Sequence, residues 1–136
     1  MSEDVRQLNP DLDRTSSRRR SPKASRALPE SAGERAWDTY WERHAPDQPL
    51  PVKNFRFHEE RNWLMDRAWV DERVCVEIDG GQFVVNGGRH NTDEDRLKCN
   101  TATSRGWLVF HFTPQALDAD PLHCIALVTS ALDLRR

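Results

Sequence analysis

The amino-acid sequence predicts an α/β fold, a small mixed sheet of four strands sandwiched between helices in the order α-β-β-β-α-β-α. Three observations predict it. Short apolar runs at 63–70 (WLMDRAWV), 73–79 (RVCVEID) and 107–112 (WLVFHF) have strand length and are rich in β-branched and aromatic residues. Apolar residues recur at helical spacing at 36–41 and again across 121–133. A polar helical segment at 93–105 separates the third strand from the fourth and supplies a helical crossover between them.

Taken in order, Ser31-Ala32-Gly33-Glu34 opens the first helix, whose Ala36, Trp37, Tyr40 and Trp41 share one face and which fades at His44-Ala45-Pro46. Three prolines make 46–51 a loop. Strands follow at about 54–58, 63–70 and 73–79. The polar Asp71-Glu72 joins the last two as a hairpin. Four glycines make 80–90 a loop or bulged turn. Thr92 caps the helix over 93–105, and Asp93, Glu94 and Asp95 suit the positive end of its dipole. Gly106 stops it. After the strand 107–112, Thr113-Pro114 starts a helical turn, and Pro121 starts a closing amphipathic helix over 121–133.

A chain of 136 residues, 31% charged and 37% hydrophobic, suits one small domain and a disordered piece. Residues 1–31 form that piece, and 32–136 form the domain. The first 31 residues are poor in large apolar side chains and rich in Ser, Arg and Pro. Within them, 14–26 (RTSSRRRSPKASR) carries six basic residues and no acidic one, including Arg18, Arg19 and Arg20. That cluster is either a solvated tail or a flexible arm attracted to phosphates. No run of about 18 apolar residues occurs, so no membrane span is expected. The start lacks the apolar core of a secretory signal, and Asp4, Asp11 and Asp13 argue against a transit peptide. Three cysteines without paired spacing, Cys75, Cys99 and Cys124, point to a reducing, cytoplasmic setting. Histidine and cysteine do not occur at zinc-ligand spacing.

The chemistry concentrates in VEIDGG, residues 76–81. Alternation on 73–79 turns Val74, Val76 and Ile78 one way and Cys75, Glu77 and Asp79 the other, with the two carboxylates about 7 Å apart. If 63–70 and 73–79 pair about Asp71-Glu72, Asp66 comes close to Glu77. Converging carboxylates repel unless something positive neutralises them, and a hard divalent cation such as Mg²⁺ does so with oxygen ligands and retained waters. The plainer alternative pairs Asp66 with Arg61, Arg67 or Arg73 and leaves Glu77 on a wet edge.

The stretch 55–113 resembles the PD-(D/E)XK nuclease superfamily. More closely, it is similar to small stand-alone bacterial and phage proteins related to very-short-patch-repair endonucleases. Five motifs in order carry the resemblance: Arg61-Trp63-Asp66; Val76–Gly81; Gly88-Arg89-His90; Asp95-Lys98-Asn100; and Gly106-Trp107-Val109-Phe112. The resemblance implies a restriction-endonuclease-like sandwich and metal-dependent hydrolysis of DNA phosphodiester bonds, in repair, recombination or mobile-element processing. It implies Mg²⁺, with Mn²⁺ as a substitute, held by Asp66, Glu77 and the Ile78 backbone carbonyl. Glu34 is either a further ligand through water or only a first-turn helix acid. Asp79 stands where the superfamily motif has lysine, as the resemblance implies for close members. The missing charge is assigned to Lys98, whose plainer reading is a surface i,i+4 pair with Glu94. Asp79 itself either orients Lys98 or serves a second metal. Arg89 and His90 are expected to contact DNA phosphate, His90 being alternatively an acid or a helix cap. His58 and His111 are read as structural, and Trp63, Trp69, Trp107, Phe110 and Phe112 as core. The rival functional reading is a nuclease fold that binds DNA or a partner without cutting.

Overall fold

The structure, a computed structural model, describes residues 30–79 and 92–136. Four strands form one sheet in spatial order β1-β2-β3-β4: β1 (Val52–Arg56), β2 (Leu64–Trp69), β3 (Val74–Ile78) and β4 (Leu108–Phe112). The first two pairings are antiparallel and β3–β4 is parallel, so the sheet is mixed as expected. Helix α1 (Ala32–His44) precedes the sheet and α2 (Asp93–Ser104) crosses from β3 to β4. Helices α3 (Pro114–Ala119) and α4 (Pro121–Leu134) close the chain.

Both of the first two long helices are capped, α2 by Thr92 as expected and α1 by Ser31. The Ser31 hydroxyl accepts from the Glu34 N–H at 3.1 Å while Glu34 Oε1 accepts from the Ser31 N–H at 3.4 Å, a reciprocal capping box. Thr92 accepts from the Asp95 N–H at 3.2 Å. Gly106 follows α2 with φ +89°, a left-handed conformation that glycine adopts without strain. The first strand runs two residues earlier than the expected 54–58. It stops before His58 because that imidazole turns back to accept the N–H groups of Glu60 and Arg61 at 3.1 and 3.0 Å. That side chain caps a turn and does not extend the strand.

Alternation divides the core in two. Val74, Val76 and Ile78 pack with Trp37 and Trp41 of α1 and with Ile125, Val128 and Leu132 of α4. Cys75 and Ala68 join Phe55, Trp63, Ala102 and Trp107 in a second cluster. Trp63, Trp69, Trp107 and Phe112 are buried and Phe110 is partly buried against the first cluster, which agrees with their reading as core.

One buried polar group was not foreseen. Arg67 on β2 has no exposed surface. Its guanidinium donates to both oxygens of Asp38, to Glu30 Oε2 (each 2.8 Å) and to the Asp66 carbonyl (2.6 Å). Lys53 joins the same acids at 3.1 and 3.3 Å. A buried cation needs such partners. Burial opposes the charge of Asp38, yet the Arg67 hydrogen bond holds its carboxyl below the usual range. Glu30 and Ser31, which composition places in the N-terminal piece, therefore contribute contacts to the folded unit.

Candidate functional site

The β2–β3 ladder pairs Arg67 with Val76, and continuing that register sets Asp66 opposite Glu77. The expected meeting of the two acids therefore occurs. At that point the ladder gives way to a side chain: the Ile78 N–H donates to Asp66 Oδ2 at 2.8 Å. The N–H and C=O of one strand residue leave the same side of the strand, so the Ile78 carbonyl also leaves toward Asp66. Glu77 reaches toward α2, where Lys98 Nζ donates to its Oε1 at 3.2 Å. The pair is sheltered, with side-chain exposure of 23% for Lys98 and 15% for Glu77.

Two plainer alternatives fail on these contacts. Glu94 does not pair with Lys98. It accepts from Arg61 at 2.8 Å and from the Trp63 indole at 2.9 Å. Arg67 spends its charge on Asp38 and Glu30, as above. Lys98 is thus free to face the strand acids, although α2 is otherwise a polar helix with one buried side chain, Ala102.

The electrostatics are those of crowded carboxylates. Burial, then the charge of Glu77, pushes the Asp66 carboxyl up to about 6, against the opposing Ile78 hydrogen bond and the Lys98 charge. Burial also raises Glu77, with Lys98 opposing. Glu34 is raised by burial and then by the charge of neighbouring Asp66. Glu34 closes the capping box and also lies close enough to Asp66 to feel its charge. Glu77 Oε2 is buried and makes no hydrogen bond among the described residues. An ionised oxygen in that state is costly, and a cation placed there would satisfy it. Among the described residues no group of three or more His, Cys, Asp or Glu side chains encloses a metal position. Any cation here would depend on Asp66, Glu77, main-chain oxygen and water, a donor set that suits Mg²⁺.

Asp79 follows the end of β3, and its N–H donates to the Phe112 carbonyl at 2.9 Å. Its carboxylate lies 3.7 Å from His111 Nδ1 and is 46% exposed. His111 stands beside Glu77 in the parallel register, and its Nε2 lies 3.9 Å from Cys99 Sγ. The neighbouring Asp79 carboxylate, opposed by burial, pushes the imidazole up to about 9. His111 is a site neighbour that sequence reasoning passed over as structural. A polar ring alternating with Phe110 and Phe112 on a strand next to the acid strand was the available signal. Arg89, His90, Arg18, Arg19 and Arg20 lie outside the described residues.

No described helix is long and apolar enough to cross a membrane. Compared with protein-family models, with curated proteins and with solved structures, the chain finds no match in any of the three.

Proposed function

We propose that this chain is a metal-dependent endonuclease that hydrolyses DNA phosphodiester bonds on a restriction-endonuclease-like sandwich. The observation that carries the reading is the unpartnered, buried Glu77 Oε2 beside Asp66, with Lys98 alongside. In this reading Asp66, Glu77 and the Ile78 carbonyl hold the metal, and Glu34 lies behind Asp66. When bound, Mg²⁺ or Mn²⁺ supplies Lewis-acid polarisation of the phosphoryl group and an activated water. Lys98 contributes the positive charge that Asp79 does not. Its contact with Glu77 orients the ammonium at the mouth of the acid pair, where a phosphate oxygen would meet it. Arg89, His90 and the arginines at 18–20 would add phosphate contacts, in a cytoplasmic setting of repair, recombination or mobile-element processing.

A plasmid-nicking assay with Mg²⁺, and with EDTA as control, tests the activity. Relaxed circles that appear with Mg²⁺ and vanish with EDTA are the expected result. One observation favours a non-cutting DNA-binding module instead: the 3.2 Å Lys98–Glu77 pair already neutralises one acid without a metal. Intact supercoiled plasmid under both Mg²⁺ and Mn²⁺, with duplex still bound, would decide for that module.

A further inference from the structure

We propose that Asn54 is a positioning residue for Asp66: its left-handed backbone is the joint at which β1 and β2 turn together, and that turn presents the Asp66 carboxylate to Glu77. The inference rests on the nuclease reading and adds a residue to it.

Side chains two apart on a strand leave the same face. On β2 that rule fails once. Met65 packs with Trp63 in the second core cluster, whereas Arg67 turns to Asp38 of α1 and Trp69 packs in the first cluster. The faces exchange between 65 and 67, at Asp66. On β1 the same exchange occurs opposite: Lys53 reaches Asp38, while Phe55 lies in the second cluster. The pairs Lys53–Arg67 and Phe55–Met65 share one register, so Asn54 stands across from Asp66 with no residue inserted. Asn54 has φ 52°, where an extended strand residue has about −120° to −140°. A left-handed residue at that point turns the chain out of the extended path. Asparagine enters this conformation more readily than most residues, glycine enters it freely, and β-branched residues are the least suited to it.

The turn has two consequences at the site. The β2–β3 ladder ends at the Arg67–Val76 pair, and beyond it the Asp66 carboxylate takes the place of a main-chain acceptor, receiving the Ile78 N–H at 2.8 Å. The Arg67 guanidinium, clamped by Asp38 and Glu30, holds the Asp66 carbonyl at 2.6 Å. Asp66 is thus displayed by the bend, and a β1 kept straight at residue 54 would draw β2 straight with it and withdraw the carboxylate from Ile78 and Glu77.

The experiment measures Mg²⁺ affinity by calorimetry, amide exchange of Ile78 by NMR and melting temperature on the full chain. Asn54→Gly, which keeps the left-handed backbone without the carboxamide, is expected to bind Mg²⁺ within about twofold of the wild type and to keep the Ile78 amide protected. Asn54→Val is expected to lose about tenfold or more in Mg²⁺ affinity and to exchange Ile78 faster. Asn54→Ala is expected to fall between them, with a loss of about threefold or more, and it carries the test if the valine chain does not fold. Leu132→Ala is the control for stability alone. Leu132 is buried in the first cluster near the end of α4, where Arg135 bonds the Glu72 carbonyl of the β2–β3 hairpin, at the far end of β3 from the acids. It is expected to lower the melting temperature and leave Mg²⁺ affinity unchanged. Valine and alanine variants that behave like Leu132→Ala, melting lower with Mg²⁺ affinity within about twofold, overturn the inference and leave the nuclease reading standing. So does an Asn54→Gly protein that loses as much affinity as Asn54→Val, since the carboxamide and not the backbone would then matter. A wild-type protein that binds neither Mg²⁺ nor Mn²⁺ overturns both.

Discussion

Asp66 illustrates what one residue is asked to do. Its carboxylate ends a strand ladder, faces Glu77 and lies near Glu34, and burial pushes it up to about 6 in the folded state. In the unfolded chain an aspartate titrates near about 3.9. Because the folded value is the higher one, the native protein holds this proton more tightly. The resulting contribution to stability is fully present below about pH 4 and is lost as pH rises through 6. The loss is on the order of 1–3 kcal/mol. His111, raised to about 9, works in the same direction, its smaller, solvent-screened contribution being lost between about pH 6.5 and 9. Metal-free protein is therefore expected to melt lower near neutrality than near pH 4 to 5 on account of Asp66, and Mg²⁺ is expected to restore the difference. Asp66→Asn keeps an acceptor for the Ile78 N–H and removes the repulsion. It should raise the metal-free melting temperature near pH 8 and weaken Mg²⁺ or Mn²⁺ binding in calorimetry. Equal cation binding by the variant and the wild type would remove the metal site from Asp66. Lys98→Met carries the complementary expectation. A drop in single-turnover cleavage of about a hundredfold, roughly 2.7 kcal/mol of barrier, with duplex binding in Ca²⁺ intact, is the result that fits a lysine beside the reacting phosphate.

At the scale of elements, α1 packs closely against the end of β3. A Cβ on Gly33 would stand 2.8 Å from Ile78 Cγ2, so the first turn of α1 rests on the end of β3. The same turn carries Glu34 to Asp66. Gly33→Ala is expected to destabilise the fold by about 1–3 kcal/mol through overpacking, measured as a lower denaturation midpoint in urea. The helix also depends on what precedes it. A chain starting at Glu30 should melt like the full chain. One starting at Gly33 loses the Ser31 cap and the Glu30 partner of buried Arg67, and should be less stable by about 1–3 kcal/mol. Composition cannot reveal that dependence, because Glu30 looks like any solvated acid until β2 is in place. Much else at this scale is legible. Alternation on 73–79, the Asp71-Glu72 hairpin, the Thr92 and Ser31 caps and the Gly106 stop all rest on local backbone rules, and each appears where those rules put it. The end of β1 is not legible, since it depends on a histidine turning back on its own turn. Arg67 is not legible either, because three of its four acceptors belong to residues distant in sequence.

Across the whole molecule, the basic run at 14–26 precedes a folded unit whose acids are gathered at one end of the sheet. If that arm meets DNA, a chain beginning at Glu30 should bind duplex more weakly, with a shallower dependence of log affinity on log salt. An unchanged slope would show that the arm makes no phosphate contacts. The meeting of Asp66 and Glu77 is readable from hairpin register alone. The place of His111 beside them is not, because the crossover predicts a fourth strand but not the register, Glu77 against His111, in which it lies on β3. The two cores are also unequal in how they hold their helices. Helix α4 buries Cys124, Ile125, Val128, Ala131 and Leu132, whereas α2 buries only Ala102 and is otherwise tied by Lys98 to Glu77 and by Glu94 to Arg61 and Trp63. Stability is therefore unevenly spread, and α2 has little apolar contact to resist local opening. Its amides should exchange with solvent deuterium well before those of α4, and faster as ionic strength rises. Lys98 would then leave and rejoin Glu77 by the fraying of one polar helix, while the aromatic core beneath α1 and α4 stays closed.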